Sequence, residues 1–366
     1  MRRTALILFA AAAGTWCAEG LIFHTSLYSR FISPDSSAGV LETVLDNEIR
    51  RPGDSHPQIL GIGDSRMGAL LPRISNKFTG ETGLTFSTIS VPGSTPRCWF
   101  YMLRDVDPGA NRYAAIVIGV ETYDDAEVWE DHADRESDLH YLIARLRWSD
   151  LKEFSGSYHN PQLQREAFRG ILFKGLIFKR DFQDFLLHPV ARVKYVEQSR
   201  RDSHAWFYDF VGSSDSVKDI NVDFVAHKLT VPPGTPPGRE QDFRARFLDP
   251  LPPDMGRESA YLHYWLGRIY DLYRGSKTKL VFLREPRGGF VRPDQPPMNP
   301  RSSVHELAGH PEIRLIPEHF FDSLERPDLF HDEVHLNEPG AEEFSRMLAF
   351  EMRDLLAGSS QNAHAF

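Results

Sequence analysis

Two short segments of the sequence hold residue types suited to nucleophilic chemistry. The first is Gly63-Asp64-Ser65, which follows a short apolar run, and the second contains Asp332 and His335 three residues apart. A carboxylate at that spacing can orient an imidazole through one ring nitrogen and leave the other nitrogen free to accept a proton. A serine needs such a base because its hydroxyl is protonated at neutral pH. The two segments together are therefore suited to a serine nucleophile activated by a histidine.

Each segment also has a plainer interpretation. Asp64 or Ser65 could simply cap a helix, as Asp and Ser commonly do. His331 and His335 stand four residues apart with acidic residues between them, which leaves a metal site or two structural histidines open. The sequence HDEVH differs from the zinc motif HExxH, and it precedes a helical segment instead of lying within one.

The segments that would position these residues alternate between strands and helices. Apolar runs without polar alternation predict strands that are covered on both faces, at 59–63, 84–91, 114–120, 279–283 and 312–316. Helical patterns lie between them, notably at 258–273 and 339–356. Such alternation predicts right-handed crossovers and a parallel sheet. We therefore expect a three-layer, doubly wound α/β domain.

In this arrangement Ser65 stands at the carboxyl end of the first strand. Ligands of open α/β sheets bind in the crevice beyond the strand ends. The apolar positions from Met67 to Ile74 predict a helix that begins near Ser65, although Pro72 interrupts the pattern. Backbone N–H groups and the positive end of that helix would then favour negative charge beside the serine.

The amino-terminal segment 1–23 predicts a signal anchor or a signal peptide. Two arginines precede an uncharged stretch at 4–18, which is longer than most signal-peptide cores and shorter than a typical spanning helix. An ordinary buried helix is the third possibility. With the arginines in the cytoplasm, everything after Phe23 would lie outside. We therefore expect a periplasmic or other extracytoplasmic protein, anchored to the inner membrane by this segment.

Composition narrows the classes of function. The chain of 366 residues has 42 basic and 51 acidic side chains, a net charge of −9, so nucleic acid is not an expected partner. The mean hydropathy of −0.38 excludes a polytopic membrane protein. The two cysteines are not arranged as a disulfide framework or a cysteine-based metal site.

The remaining residues are expected to follow a simple domain plan. After a connecting segment at 24–56, the α/β domain covers 57–357, and a flexible tail covers 358–366. A mainly helical insertion is expected at about 149–256 because the strand–helix alternation stops there. A helix predicted within it, at 165–187, carries Lys174, Lys179 and Arg180 among apolar residues. Such a helix either covers the core or rests on a membrane surface.

The two motifs together resemble those of the SGNH, or GDSL-like, hydrolase superfamily. Its members have a flavodoxin-like sheet, a nucleophilic serine in a G-D-S motif after the first strand, and an Asp-x-x-His pair before the last helix. The resemblance implies that Ser65 is the nucleophile, His335 the general base and Asp332 its orienting acid. It also implies an oxyanion hole formed by the N–H groups of Ser65 and Gly93. It covers about 57–148 and 257–357.

The third block of the family pattern, G-x-N-D, aligns with Gly119-Val120-Glu121-Thr122, so a glutamate replaces the asparagine that donates to the oxyanion. An ionised carboxylate there would oppose the developing charge, and loss of one such donor typically costs about 10²–10³ in rate. Three explanations stay open: a protonated Glu121, another donor such as Arg66 or Tyr123, or a site that is not a fast hydrolase. Asp64, Arg66 and Glu121 are thus additional candidate site residues.

The anchor, the insertion and this departure resemble membrane-anchored SGNH-like proteins that modify envelope polysaccharides, working beside membrane-bound O-acyltransferases. The resemblance implies an exported serine acyl-ester hydrolase or O-acyltransferase that forms an acyl-serine on an envelope or secreted polysaccharide and needs no cofactor or metal. Two alternatives are an inactive SGNH-like scaffold or polysaccharide-binding protein, for which Glu121 is the main argument, and a metal-dependent hydrolase that uses His331 and His335.

Overall fold

The computed structural model describes residues 2–125, 132–206, 217–249, 255–292 and 299–361. The chain divides into two compact units. The first, called the helical unit, consists of Met1–Arg50 and Ala133–Ser203, and the second, called the sheet unit, consists of Arg51–His132 and His204–Phe366. The segment predicted as one insertion at 149–256 is thus divided, and its part beyond Ser203 belongs to the sheet unit.

The helices are named here in chain order. They are α1 (Arg2–Phe23), α2 (Ser26–Ser29), α3 (Ser37–Arg50), α4 (Pro72–Ser75), α5 (Thr79–Thr82), α6 (Pro96–Val106), α7 (Glu136–Leu142), α8 (Leu151–Gly156), α9 (Pro161–Leu172), α10 (Lys174–Ile177), α11 (Lys179–Leu187), α12 (Pro189–Trp206), α13 (Pro237–Phe247), α14 (Met255–Tyr273), α15 (Ser303–Leu307) and α16 (Glu338–Gln361). Helix α16 includes the first residues of the predicted tail, and 362–366 lie outside the described residues.

A parallel five-stranded sheet forms the centre of the sheet unit. Its strands are β1 (Gln58–Ile62), β2 (Thr85–Thr88), β3 (Ala115–Val120), β6 (Lys279–Arg284) and β7 (Ile313–Leu315), in the spatial order β2-β1-β3-β6-β7. A separate antiparallel pair joins β4 (Asn221–Asp223) to β5 (Lys228–Thr230). The five apolar runs thus form strands at the predicted places, and the predicted α/β class with a parallel sheet is confirmed.

Burial explains why these runs lack polar alternation. Every residue of β1 and β3 is buried, which requires cover on both faces of the sheet. On one face, Ile59, Val117 and Val281 share a core cluster with Phe344 and Leu348 of α16. Helix α14 contacts β6 and α6. The last helix of the chain is therefore fixed against the sheet, and it carries the segment before it to the strand ends.

The helix predicted at 165–187 is divided into α9, α10 and α11 in the structure. The backbone leaves the helical region at Phe173, with φ −134° and ψ 71°. Beyond this break, Lys174 is buried and its Nζ donates to the Ala144 carbonyl at 2.7 Å, while the Gly175 N–H donates to the Glu19 carboxylate at 3.0 Å. Tertiary hydrogen bonds thus replace the regular helix, and Lys174 does not supply the surface charge that the membrane alternative required.

Helix α1 coincides with the predicted amino-terminal apolar segment. Among the described residues, it is the helix that is long and apolar enough to act as a membrane anchor or a signal sequence, and its apolar stretch is not buried within the protein. The alternative of an ordinary buried helix is therefore wrong.

Candidate active site

The structure brings the two sequence motifs into contact at the carboxyl ends of the strands. The Nε2 atom of His335 lies 2.7 Å from Ser65 Oγ, and its Nδ1 lies 2.7 Å from Asp332 Oδ2. A carboxylate can only accept, so Nδ1 carries the proton in this contact and Nε2 of the neutral ring accepts from the serine hydroxyl. The three groups therefore form a continuous hydrogen-bonded chain that can move a proton from Ser65.

Backbone donors hold Asp332 in its orienting position. Its Oδ1 atom accepts from the N–H of Val334 at 2.9 Å and of His335 at 2.8 Å, which leaves Oδ2 for the imidazole. Burial raises the pKa of Asp332, but the hydrogen bond from His335 and these N–H groups outweigh it and lower the pKa to about 2. The group is therefore a carboxylate at neutral pH, as an imidazolium partner requires.

The local sequence explains why this segment is a closed turn. The His331 N–H donates to the His335 carbonyl at 2.9 Å, which closes a loop around Asp332. Two residues after His335, Asn337 Oδ1 accepts from the Gly340 N–H at 3.1 Å and so caps the start of α16. The base is thus held between a short closed loop and a rigid helix.

The segment after Ser65 differs from the predicted helix. It is a single 3-10 turn at Arg66–Ala69, followed by an extended Leu71 and the short helix α4. Pro72 explains the break, because a proline disfavours helical geometry in the residue before it. The predicted helix dipole beside Ser65 is therefore reduced to one turn. The Ser65 side chain makes no capping hydrogen bond, whereas Asp64 Oδ1 accepts from the Arg66 N–H at 2.8 Å.

The turn that contains Gly93 is fastened to the strand that carries Ser65. Both the Val91 N–H and the Ser94 hydroxyl donate to the Gly63 carbonyl at 3.2 Å. Pro92 and Gly93 occupy the central positions of the turn, and Gly93 has φ 62°, as the third position of a type II turn requires. The turn therefore stands next to the end of β1, and its positive φ at Gly93 favours glycine.

Three carboxylates surround Arg66 in what we call the acidic cluster, namely Asp64, Glu121 and Glu285. The Arg66 guanidinium lies 2.9 Å from Asp64 Oδ2, 3.4 Å from Glu121 Oε1 and 2.9 Å from Glu285 Oε2. These acids follow the adjacent strands β1, β3 and β6, whose carboxyl ends meet at one edge of the sheet. Arg66 thus neutralises acidic groups at this edge and is not directed to an oxyanion alone.

The charges of this cluster are strongly linked. Burial opposes ionisation of Asp64, but the adjacent Arg66 and, more weakly, His335 hold its pKa below the ordinary value. Burial likewise acts to lower the pKa of Arg66, and the carboxylates of Asp64, Glu285 and Glu121 raise it well above its usual value. The guanidinium therefore stays charged beside the nucleophile over the whole physiological range.

Helix α13 brings two further arginines to the site. Arg239 Nη1 lies 2.7 Å from Glu333 Oε1, the residue after Asp332, and Arg246 Nη2 lies 3.9 Å from Glu121 Oε1. The two arginines are seven residues apart, about two helical turns, so they share a helix face. Burial lowers the pKa of Arg246, Glu121 opposes this shift and Arg66 adds to it, and the pKa falls to about 10. Arg246 therefore remains a cation.

Sequence reasoning missed Glu285, Glu333 and the arginines of α13. A signal for Glu285 was present, because it directly follows an apolar strand in the same way as Glu121 follows its own strand. No local pattern indicates that Arg239 and Arg246 reach the site, since their helix lies in the segment assigned to the insertion. Tyr123, one of the predicted substitute donors, has its hydroxyl 2.8 Å from the Phe282 and Ile316 carbonyls and does not serve that role.

The two histidines of the metal alternative are engaged differently. Both ring nitrogens of His335 have protein partners, whereas His331 Nε2 lies 3.6 Å from Asp332 Oδ2. Within the described parts of the chain, no group of three His, Cys, Asp or Glu residues is placed to hold a metal ion. A metal on His335 would have to displace either Ser65 or Asp332.

No protein-family model matches this chain, and no curated protein is similar enough to match it.

Proposed function

We propose that this protein is a serine acyl-ester hydrolase or O-acyltransferase of the SGNH type. The observation that carries the proposal is the chain Ser65 Oγ–His335 Nε2 at 2.7 Å and His335 Nδ1–Asp332 Oδ2 at 2.7 Å. Both distances are those of good hydrogen bonds, and the order of the groups is that of a serine nucleophile, a base and an orienting acid.

In the proposed reaction, Ser65 Oγ attacks the carbonyl carbon of an acyl ester while its proton moves to His335 Nε2. Asp332 stabilises the imidazolium that results. When the tetrahedral intermediate collapses, the leaving alcohol takes that proton and the acyl group stays on Ser65. Water or a sugar hydroxyl then attacks the acyl-serine and gives its proton to His335. The bond between Ser65 Oγ and the acyl carbon breaks, Ser65 Oγ takes the proton back from His335, and either the acid or a new ester is released.

The negative oxygen of the intermediate would be stabilised by the N–H groups of Ser65 and Gly93. Glu121 stands where the family has an asparagine donor, but two guanidinium groups flank it, those of Arg66 and Arg246. Its charge is thus compensated locally, which reduces the repulsion that the sequence alone predicted. Chemistry of this kind uses no cofactor.

The fold is compatible with this class. Counted along the chain, the five sheet strands have the spatial order 2-1-3-4-5, which is the flavodoxin-like order. The strand order reverses between β1 and β3, and Ser65 and Glu121 follow these two strands, where doubly wound folds bind ligands. We therefore assign a three-layer SGNH-type arrangement to the sheet unit.

The cellular setting follows from α1 and from the family resemblance. We place the sheet unit outside the cytoplasm, tethered to the inner membrane, with an acylated envelope or secreted polysaccharide as substrate and a membrane-bound O-acyltransferase as partner. Arg2 and Arg3 precede the apolar stretch and favour this orientation.

The decisive experiment uses a fluorophosphonate probe and p-nitrophenyl acetate on the full chain. Ser65→Ala should abolish covalent labelling and turnover. Ser55→Ala is a matched control, because Ser55 Oγ also lies near an acid and a histidine, 3.4 Å from Asp54 and from His56 Nδ1, but on an exposed segment. Equal labelling of wild-type and Ser65→Ala protein would remove Ser65 from the mechanism.

A second candidate is an inactive scaffold or polysaccharide-binding protein, which Glu121 favours. Such a protein would bind acetylated glycan but leave Ser65 unlabelled in the wild type. Glu121→Asn distinguishes the two, because it supplies the missing amide donor. In an active enzyme it changes the acylation rate, whereas in a binding protein it leaves Ser65 unlabelled as before.

A further inference from the structure

Helix α1 is long and apolar enough to cross a bilayer, but a charged residue lies within its last two turns. Its uncharged stretch at 4–18 is about 23 Å long at 1.5 Å per residue, whereas the hydrocarbon core is about 30 Å thick. The first charge after that stretch is Glu19, whose carboxylate accepts from the Gly175 N–H at 3.0 Å. The remaining about 7 Å of a span would therefore include Glu19 and the part of α1 that already contacts the rest of the helical unit.

These contacts begin before the end of α1. The ring of Trp16 is stacked on Trp148 at 5.2 Å between centroids, and a Cβ on Gly20 would lie 3.1 Å from the Trp148 ring. A Cβ on Gly175 would lie 2.8 Å from the Phe23 ring, so α10 packs closely on α1. The last part of α1 thus contacts other parts of the same unit on one side, while Leu21 remains 62% exposed.

Helix α11 continues this packing around the end of α1. Phe182 packs edge-on against Phe23 at 5.2 Å, and Phe185 is stacked on Phe31 at 5.0 Å. These rings use the inner side of α11. The outer side chains of α2, α10, α11 and the start of α12 form what we call the apolar collar: Leu27, Leu176, Ile177, Leu186, Leu187 and Val190, all exposed.

We propose that the apolar collar lies in the interface of the same bilayer that α1 enters, in contact with lipid. Amphipathic helices at such interfaces bury their apolar face about 5–10 Å into the boundary, a depth comparable to the roughly 7 Å by which the uncharged stretch is shorter than the hydrocarbon core. Leu176 and Leu187 are 72% and 74% exposed, unlike side chains that cover a core.

The aromatic and basic residues near the collar are also of the types found at lipid surfaces. Trp16 and Trp148 are partly exposed beside the collar, as aromatic side chains at membrane interfaces are. Lys179 and Arg180 are exposed at the start of α11 and can meet anionic headgroups. The buried Lys174 takes no part, since its Nζ is held by the Ala144 carbonyl. The collar would thus fix the distance of the helical unit from the membrane independently of what the active site does.

The test measures lipid contact in the full chain. With Cys17 replaced by serine and Cys98 buried, an environment-sensitive fluorophore is attached to Leu176→Cys or Leu187→Cys. Each labelled protein is reconstituted in phosphatidylethanolamine–phosphatidylglycerol vesicles with brominated acyl chains. Gln162→Cys is the control, because it is exposed at the opposite end of α9, about 15 Å along that helix from α10.

We expect bromine to quench both collar probes at least severalfold more than the Gln162 probe, and quenching to persist when the protein is the sole protein in the vesicle. Quenching of the collar probes equal to that at Gln162 would overturn the proposal. Shielding of the collar probes from water that appears only when a second membrane protein is added would also overturn the proposal, because the collar would then be a protein-binding surface.

Discussion

Asp332→Asn isolates the orienting role of the carboxylate with little change of shape. Because Asp332 Oδ1 accepts from the N–H groups of Val334 and His335, the oxygen of an asparagine must occupy that position. Its amide nitrogen then faces His335 Nδ1, and a donor there forces the ring proton to Nε2. In that tautomer Nε2 cannot accept the proton of Ser65, so the base is disabled although the site keeps its packing.

The expected magnitude lies between two limits. The lowering of the pKa of Asp332 from 3.8 to about 2 corresponds to about 2.4 kcal/mol in favour of the carboxylate, or about 60-fold. Because this free energy includes the interaction with His335, it sets the order of magnitude of the lower limit, in which only the charge is lost. Reversal of the tautomer in a serine triad costs about 10⁴. The two backbone donors enforce the reversal, so we expect the loss to approach the larger value.

The assay is the rate of covalent labelling of Ser65 by a fluorophosphonate at neutral pH, which requires no knowledge of the natural substrate. Asp328→Asn is the matched control, because Asp328 is an exposed acid on the same segment, paired with Arg326 at 3.4 Å. Circular dichroism should show both variants folded. If Asp332→Asn is labelled as fast as Asp328→Asn, the proposed orientation of His335 is wrong.

Three further predictions concern stability. Gly63→Ala places a Cβ 2.3 Å from Met67 Cγ and should lower the free energy of unfolding by about 1–3 kcal/mol through overpacking. Denaturant unfolding measures this loss, and Gly80→Ala is the control because its added Cβ meets nothing within 4 Å. Arg66→Met leaves the buried acidic cluster without its nearest cation and should cost about 3–5 kcal/mol; an unchanged melting temperature would contradict the cluster's ion pairing. The pKa of Asp332 is lower in the folded protein, so its carboxylate stabilises the fold above about pH 4. The free energy of unfolding should fall by about 2 kcal/mol as the pH drops through about 2. Acid unfolding of Asp332→Asn should not show this loss.

The sheet could be predicted from the sequence because its signal is local. A strand buried on both faces must be apolar at every position, so β1 and β3 stand out without any knowledge of their neighbours. The same holds for Ser65 and His335, since Ser65 follows a strand and His335 precedes a helix, and both elements were visible in the sequence. Their approach to 2.7 Å required only that the topology bring the strand ends and the start of α16 together.

The remaining features depend on tertiary contacts that no local pattern encodes. The division of the predicted helix at 165–187 depends on Lys174 and Gly175, whose partners Ala144 and Glu19 lie far away in the sequence. The arginines of α13 reach the site only because their segment belongs to the sheet unit, which its composition did not indicate. Ion pairs between residues so far apart in the chain have no local signal in the sequence.

The acidic cluster at the edge of the sheet explains why the site carries arginines. Carboxylates follow three adjacent strands, and without compensation they would oppose an oxyanion formed at Ser65. Arg66 binds all three, and Arg246 adds a second cation on the side of Glu121. Because both guanidinium groups are already paired, they contribute less to an oxyanion than free donors would. We therefore expect acylation of Ser65 to be slow, and the backbone N–H groups of Ser65 and Gly93 would have to supply most of the stabilisation of the oxyanion.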